Sequence, residues 1–138
     1  MKLFTKTFDN IPAEDVAREV ELQTRASKIG LSPNILHTDH ANFITMEYVD
    51  AMCLADMYGD SIDDVPDDIQ NQILDILWVL YNTCHIEYVD ITPYNFIEND
   101  GVVLIIDFGH ARDATDTMDP FLEKLFDTWK LEWNPEFK

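Results

Sequence analysis

The most regular hydrophobic pattern in the chain lies between residues 66 and 84. Apolar residues recur there three or four positions apart, a spacing that places them on one face of an α-helix. They are Ile69, Ile73, Ile76, Leu77, Leu80 and Cys84. Because proline suits the first position of a helix, we predict that Pro66 begins this helix and that its apolar face belongs to the core.

Three further helices are predicted from shorter patterns. The first begins near Ala13 and ends near Gly30, because glycine is the residue most often found just past the end of a helix. A short helix is predicted over residues 53–58 and a last one over residues 120–131. The aromatic side of the last helix fits the core or a dimer face. The core is favoured because a small domain needs every apolar face it has.

Short segments of alternating apolar and polar residues predict β-strands. The predicted strands cover residues 3–8, 35–38, 42–48, 96–98 and 102–106. Asp100 and Gly101 separate the last two, and an Asp-Gly pair tolerates the positive φ angles of a two-residue turn. We therefore predict a tight hairpin here and a mixed α+β fold for the chain.

Composition narrows the classes of partner. The chain has 138 residues, of which 46% are hydrophobic, and a net charge of −18 from 27 acidic and 9 basic residues. Such a surface repels phosphate backbones and anionic lipid, so we expect no nucleic-acid or membrane binding and favour a basic protein partner or a cationic substrate. Cys53 and Cys84 lack metal or redox spacing, and no segment has transmembrane length. We expect reduced thiols and a cytoplasmic location.

The candidate chemistry lies around the predicted hairpin. Asp90 precedes Asn95 by five positions, and the second hairpin strand ends in Asp107-Phe108-Gly109. Phosphoryl transfer needs a group that orients the attacking hydroxyl, and it needs hard oxygen ligands for Mg²⁺. Asp90 is placed for the first task, and Asn95 and Asp107 for the second. A lone Asp-Phe-Gly is a weak signal, but its combination with this spacing and a hairpin favours a phosphotransferase site.

These residues resemble the protein-kinase-like superfamily. The compact atypical branches are the most similar: RIO-type kinases, the small kinase of the KEOPS complex, and choline or aminoglycoside phosphotransferases. Asp-Ile-Thr-Pro-Tyr-Asn at 90–95 is similar to their Asp-Leu-Ser/Thr-x-x-Asn, and segments 30–33 and 46–49 are similar to their helix-to-strand passage and hinge. The resemblance extends from about Leu3 to Arg112, and short kinase-like proteins of large DNA viruses are expected relatives.

The resemblance implies a protein-kinase-like α+β fold in one domain, residues 1–138. We expect a reduced N-lobe over about 1–48, lacking the hairpin of the Gly-rich loop, and a reduced helical C-lobe over about 49–138. The nucleotide site would then be open on one side. A second copy of the chain, in a homodimer, could cover it.

The resemblance also implies roles for individual residues. Asp90 would be the catalytic base, and Asn95 and Asp107 would bind Mg²⁺, with Mn²⁺ as a substitute. Typical protein kinases have His at the place of Tyr88 and Lys at the place of Thr92. These two departures leave open whether the chain is catalytically active.

The nucleotide would be held by two further groups. Lys6 would form an ion pair with Glu19 and reach the α- and β-phosphates of ATP, although a surface lysine on an edge strand fits nearly as well. Glu47, Tyr48 and Val49 would be the hinge, whose backbone meets the adenine.

Three functions remain open on the sequence alone. The first is an ATP- and Mg²⁺-dependent phosphotransferase acting on Ser or Thr hydroxyls of a protein. The second is a pseudokinase that binds a basic protein partner. The third is a small-molecule kinase with a cationic substrate, which ranks lower because the extended helical substrate lobe of such enzymes is missing.

Overall fold

The first of two three-stranded antiparallel sheets is formed by the N-terminal part of the chain. The computed structural model describes residues 2–137. Strand β1 (Leu3–Thr7) is followed by helix α1 (Ala13–Ser27), β2 (Ile35–Thr38) and β3 (Phe43–Glu47). The sheet order is β1-β3-β2, with Lys6 opposite Ile44. These three strands and the helix were predicted to within about two residues at each end.

The remainder of the chain forms a second sheet and three helices. Its elements are β4 (Met52–Cys53), α2 (Leu54–Tyr58), α3 (Asp67–Asn82), β5 (Ile86–Glu87), β6 (Phe96–Asn99), β7 (Val102–Ile105), β8 (Arg112–Asp113) and α4 (Pro120–Thr128). Single 3₁₀ turns occur at Ile62–Asp64 and Pro135–Phe137. The second sheet has the order β4-β6-β7, and β5 pairs with β8. The sequence pattern did not predict β4, β5 and β8, which have two residues each.

Helix α1 ends at the predicted glycine. Gly30 has φ 79°, the N–H of Leu31 donates to the carbonyl of Ala26, and the N–H of Gly30 donates to that of Ser27. This pair of hydrogen bonds is the Schellman motif, with Gly30 at C′. The prediction of Gly30 as the helix stop is confirmed.

The predicted hairpin is also confirmed. Asn99 pairs with Val102, so Asp100 and Gly101 form a two-residue turn between β6 and β7. Their φ angles are 52° and 82°, as a turn with two left-handed residues requires. The turn returns the chain antiparallel, so that β7 leads to Asp107 beside the start of β6.

Helix α3 supplies the centre of the core. Its predicted apolar stripe is buried against side chains of the second sheet and of α4. The helix begins at Asp67, one residue later than predicted, because Pro66 has an extended ψ of 146° and acts as the N-cap. It ends at Asn82, before Cys84, which is nevertheless buried.

Helix α4 packs on the core, as favoured from the sequence. Leu122 and Leu125 are fully buried, and Phe121 and Phe126 pack against the same cluster. The helix ends at Thr128, three residues earlier than predicted, because Trp129 adopts a left-handed conformation with φ 50°. No helix among residues 2–137 is long and apolar enough to span a bilayer.

Candidate active site

A cleft of about 520 Å³ lies between the two sheets. This volume is in the range of pockets for small molecules and cofactors. Phe4, Lys6 and Met46 line it from the first sheet. Ile97 lines it from the second sheet, and Ile106 and Asp107 line it just after the end of β7. The cleft is mostly apolar, with a cluster of charged side chains at one end.

That charged cluster joins three elements of the fold. Nζ of Lys6, on β1, lies 2.7 Å from Oε2 of Glu19 on α1 and 3.4 Å from Oδ1 of Asp107, which follows β7. Glu19 is almost fully buried, whereas Lys6 and Asp107 are partly exposed to the cleft. Lys6 thus lies on the edge strand β1, and its side chain faces the cleft and meets two carboxylates there.

One lysine here faces two carboxylates. Burial raises the pKa of Glu19 because the charged carboxylate loses water, and the hydrogen bond from Lys6 only partly offsets this. Burial also acts against the charged form of Lys6, but Glu19 and Asp107 together raise its pKa above the ordinary value. The cluster thus carries excess negative charge at the end of the cleft, and that charge favours an additional cation.

Asp107 is held in a strained backbone conformation. Its φ is 63°, in the left-handed region that is uncommon for residues other than glycine. The buried Tyr88 hydroxyl lies 2.7 Å from the carbonyl oxygen of Ile106 and 2.9 Å from that of Asp107, and it donates to this pair. Burial, followed by the nearby carboxylates, raises the pKa of Tyr88 well above its usual range, so the hydroxyl stays protonated. Tyr88 therefore fixes the backbone that presents Asp107 to the cleft.

Asn95 closes the loop that carries Asp90. Its side-chain amide nitrogen donates to the backbone carbonyl of Asp90 at 2.8 Å. The backbone carbonyl of Asn95 accepts from the N–H of Ile106 at 2.9 Å. The second hydrogen bond joins Asn95 to the residue before Asp107. The hairpin thus brings the Asn95 backbone next to the strand end that precedes Asp107.

The Asp90 carboxylate contacts a histidine that sequence reasoning missed. This histidine is His110, three residues after Asp107. Its Nδ1 lies 3.1 Å from Oδ2 of Asp90. The side chain of Asp90 is 12% exposed and that of His110 is 64% exposed. His110 lies in a polar stretch without periodicity, and no local pattern linked it to Asp90.

The predicted hinge borders the opposite part of the cleft. Glu47, Tyr48 and Val49 all line it. The N–H of Glu47 donates to the backbone carbonyl of Asn34, and the N–H of Tyr48 donates to the backbone carbonyl of Lys2. The N–H of Val49 has no partner within residues 2–137.

A family model for the RIO domain matches residues 5–126. The chain belongs to the RIO family. This is an atypical kinase-like family of ATP-binding phosphotransferases, and the match confirms both the predicted resemblance and the kinase-like α+β fold. No curated protein matches the chain.

The donor set of this RIO domain fits a magnesium ion bound together with a nucleotide. The amide nitrogen of Asn95 is engaged by the Asp90 carbonyl, which leaves its side-chain oxygen as an acceptor. Oδ1 of Asp107 accepts from Lys6 and from the Gly109 N–H, whereas its Oδ2 has no partner in the described part of the chain. Mg²⁺ prefers one or two protein oxygens completed by phosphates and water. No cluster of three or more His, Cys, Asp and Glu side chains suited to a metal occurs within residues 2–137.

Gly109 is adapted to the crowded end of the cleft. A Cβ at this position would lie 3.2 Å from Oδ1 of Asp107 and 3.3 Å from Oε1 of Glu19. Its N–H donates to the same Oδ1 at 3.1 Å. The missing side chain therefore allows the backbone to approach both carboxylates.

Proposed function

We propose that this RIO-family chain is an ATP- and Mg²⁺-dependent phosphotransferase that acts on a Ser or Thr hydroxyl of a protein. The observation that carries the proposal is the meeting of Lys6, Glu19 and Asp107 at the end of a 520 Å³ cleft. A binding pocket for an apolar ligand alone would not need an ion pair that includes a buried carboxylate, because burying a charge removes its hydration.

The nucleotide would lie between a reduced N-lobe, about residues 1–48, and a reduced C-lobe, about residues 49–138. Its adenine would enter the apolar part of the cleft and accept a hydrogen bond from the Val49 N–H. Glu47 and Tyr48 would border the same ring through their backbone. Its α- and β-phosphates would then reach Lys6, whose orientation is set by the ion pair with Glu19.

Asn95 and Asp107 would hold the metal ion, which neutralises phosphate charge and orients the γ-phosphoryl group when it is bound. Asp90 would accept a hydrogen bond from the acceptor hydroxyl and align it with that group. As the new O–P bond forms and the bond to the β-phosphate oxygen breaks, the hydroxyl proton passes to Asp90 and ADP is released.

The acceptor is proposed to be a protein segment with basic residues. The chain carries a net charge of −18, so a cationic segment gains from its field whereas an acidic one is repelled. Association with such a partner should weaken as salt rises, because exposed charges are screened over about 8–10 Å at physiological ionic strength.

The deciding experiment is calorimetric titration of ATP, with and without Mg²⁺, into the wild type and into Asp107→Asn. We expect the wild type to bind ATP with Mg²⁺, and the variant to lose the metal-dependent part of the affinity. Asp127→Asn, an equal change of charge on the exposed side of α4, is the control and should bind like the wild type. A wild type that binds no nucleotide at millimolar ATP would refute the proposal.

The strongly acidic surface favours one second function, a pseudokinase that binds a basic protein. It predicts a stable salt-sensitive complex and no phosphoryl transfer. Incubation of the chain with radiolabelled ATP and a basic protein separates the two functions, since only the enzyme labels the acceptor.

A further inference from the structure

The Asp90 carboxylate has one side-chain partner among residues 2–137, and that partner is His110. The two atoms are 3.1 Å apart, and because a carboxylate oxygen accepts, a hydrogen bond here would be donated by Nδ1 of His110. The contact uses Oδ2 and leaves Oδ1 of Asp90 without a protein partner in the described chain. One oxygen is thus held in place while the other stays available to an acceptor hydroxyl.

Burial does not hold the imidazole in this position. The side chain of His110 is 64% exposed, and a surface ring with this freedom would sample several rotamers. Its ring instead packs on Phe137, with the two ring centroids 5.2 Å apart and the planes tilted by 56°. The support comes from the end of the chain, beyond residues 5–126 that the RIO model matches.

The segment from Leu131 to Phe137, here called the terminal segment, is itself fastened to the Asp90 loop. The backbone N–H of Asn134 donates to the carbonyl of Ile91 at 2.8 Å, and its side-chain amide donates to that of Val89 at 2.9 Å. These are the residues on either side of Asp90. Asn134 is 3% exposed, so its two hydrogen bonds are shielded from water.

A second contact anchors the terminal segment beneath the hairpin. Trp133 stacks on Phe96, the first residue of β6, with ring planes 29° apart, and Leu131 is buried in the main core cluster. The terminal segment therefore has fixed attachments at three points. Asn134 binds the backbone of the Asp90 loop, and Phe137 contacts His110, the partner of the Asp90 side chain.

We propose that His110 is a positioning residue for Asp90, and that the terminal segment holds these two residues at a fixed distance and orientation. The proposal rests on the proposed phosphotransferase function. His110 donates from Nδ1 to Oδ2, which holds the carboxylate with Oδ1 towards the acceptor hydroxyl. In the terminal segment, Asn134 holds the Asp90 loop and Phe137 holds the imidazole of His110.

The contact can be tested without any turnover. Long-range ¹H–¹⁵N NMR spectra of the four histidines distinguish a proton on Nδ1 from one on Nε2, and loss of one set of signals in His110→Asn assigns His110. We expect Nδ1 to be protonated in the wild type and the proton to move mainly to Nε2 in Asp90→Ala. Protonation at Nε2 in the wild type, or identical spectra for both proteins, would overturn the proposal.

Kinetics then test the consequence for transfer. In His110→Ala we expect turnover to fall about tenfold with unchanged affinity for ATP and Mg²⁺, because a misplaced reacting group slows the chemical step and not nucleotide binding. His110→Asn should recover to within about twofold, since its amide nitrogen can occupy the place of Nδ1. Phe137→Ala should lie between the two. His40→Asn, at an exposed turn, is the matched control.

Each pair of outcomes has one meaning. If His110→Asn is as slow as His110→Ala, or if the loss is entirely in ATP affinity, the positioning role is refuted while the phosphotransferase remains. If the wild type transfers no phosphoryl group although the NMR contact is present, the proposed function fails and the positioning role fails with it.

Discussion

The two ends of the candidate active site are held together by different forces. At the charged end, Lys6, Glu19 and Asp107 are joined by charge. At the Asp90 end, the loop is held mainly by uncharged hydrogen bonds to backbone carbonyls, made by Asn95 and Asn134. The charged end should therefore respond to pH and to a metal cation, whereas the Asp90 end should respond to changes of shape. Substitutions can separate these two responses.

The largest separation should come from Asp90→Asn. An amide cannot take the hydroxyl proton, so we expect the rate of phosphoryl transfer to fall by about 10²–10⁴-fold. The affinity for ATP with Mg²⁺ should stay within about twofold of the wild type, because Asp90 is outside the charged cluster. Radiolabel transfer and calorimetry measure the two quantities. An unchanged transfer rate would remove Asp90 from the mechanism.

Tyr88→Phe tests the link between the two ends. It leaves the partly buried carbonyls of Ile106 and Asp107 without the Tyr88 donor, and we expect a loss of about 1–3 kcal/mol in the free energy of unfolding. The affinity for ATP with Mg²⁺ should also fall, since Asp107 loses its backbone support. Tyr81→Phe removes a longer hydrogen bond, to Thr115, from an exposed site and should change stability little. Urea unfolding measures the stability of both variants, and calorimetry measures their ATP affinity. Equal losses of stability in the two variants would contradict the role of Tyr88.

Asn134→Ala should affect the Asp90 end alone. It removes the donor to the Val89 carbonyl and keeps the backbone hydrogen bond to Ile91. We expect a loss of about 1 kcal/mol in the free energy of unfolding, together with slower transfer at unchanged ATP affinity. Asn82→Ala, at an exposed position near the end of α3, is the control. A variant with weakened ATP binding and normal turnover would show that the two ends are not independent.

Glu19→Gln, at the charged end, should change how the free energy of unfolding depends on pH. Because burial raises the pKa of Glu19 in the folded chain above its ordinary value of 4.5, its stabilising contribution is fully present below that value and is lost as pH rises through the raised pKa. Glutamine has no such transition. The difference in unfolding free energy, wild type minus variant, should therefore fall as pH rises from below 4.5, and a flat difference would contradict the raised pKa.

Much of the fold was predicted because its signals are local. The spacing of three to four residues in the α3 stripe, Gly30 as a helix stop and the Asp100-Gly101 turn each depend on neighbours along the chain. The errors at the start of α3 and the end of α4 were one and three residues. Pro66 proved to be a cap, and Trp129 ended α4 early by adopting a left-handed conformation.

The candidate site was predicted only in part. Asp90, Asn95 and Asp107 lie within one short stretch and were found from their spacing, and Lys6 and Glu19 entered through the resemblance to kinases. Their placement is now known, whereas their roles stay predictions. The partners of these residues were missed. His110, Asn134 and Phe137 belong to segments without periodicity, and the two-residue strands β4, β5 and β8 are too short to leave a pattern.

The sequence by itself determined the helices, the hairpin and the acidic character of this chain, because periodicity, turn residues and charge act between residues close in sequence or summed over all of them. Only the tertiary structure decided that Lys6 lies between two carboxylates, that Glu19 is buried with a raised pKa, and that Asn134 joins the Asp90 loop. Lys6 and Asp107 are 101 residues apart, and Asn134 and Val89 are 45 apart. Contacts over such separations depend on how the sheets and helices pack, and no local pattern encodes that packing.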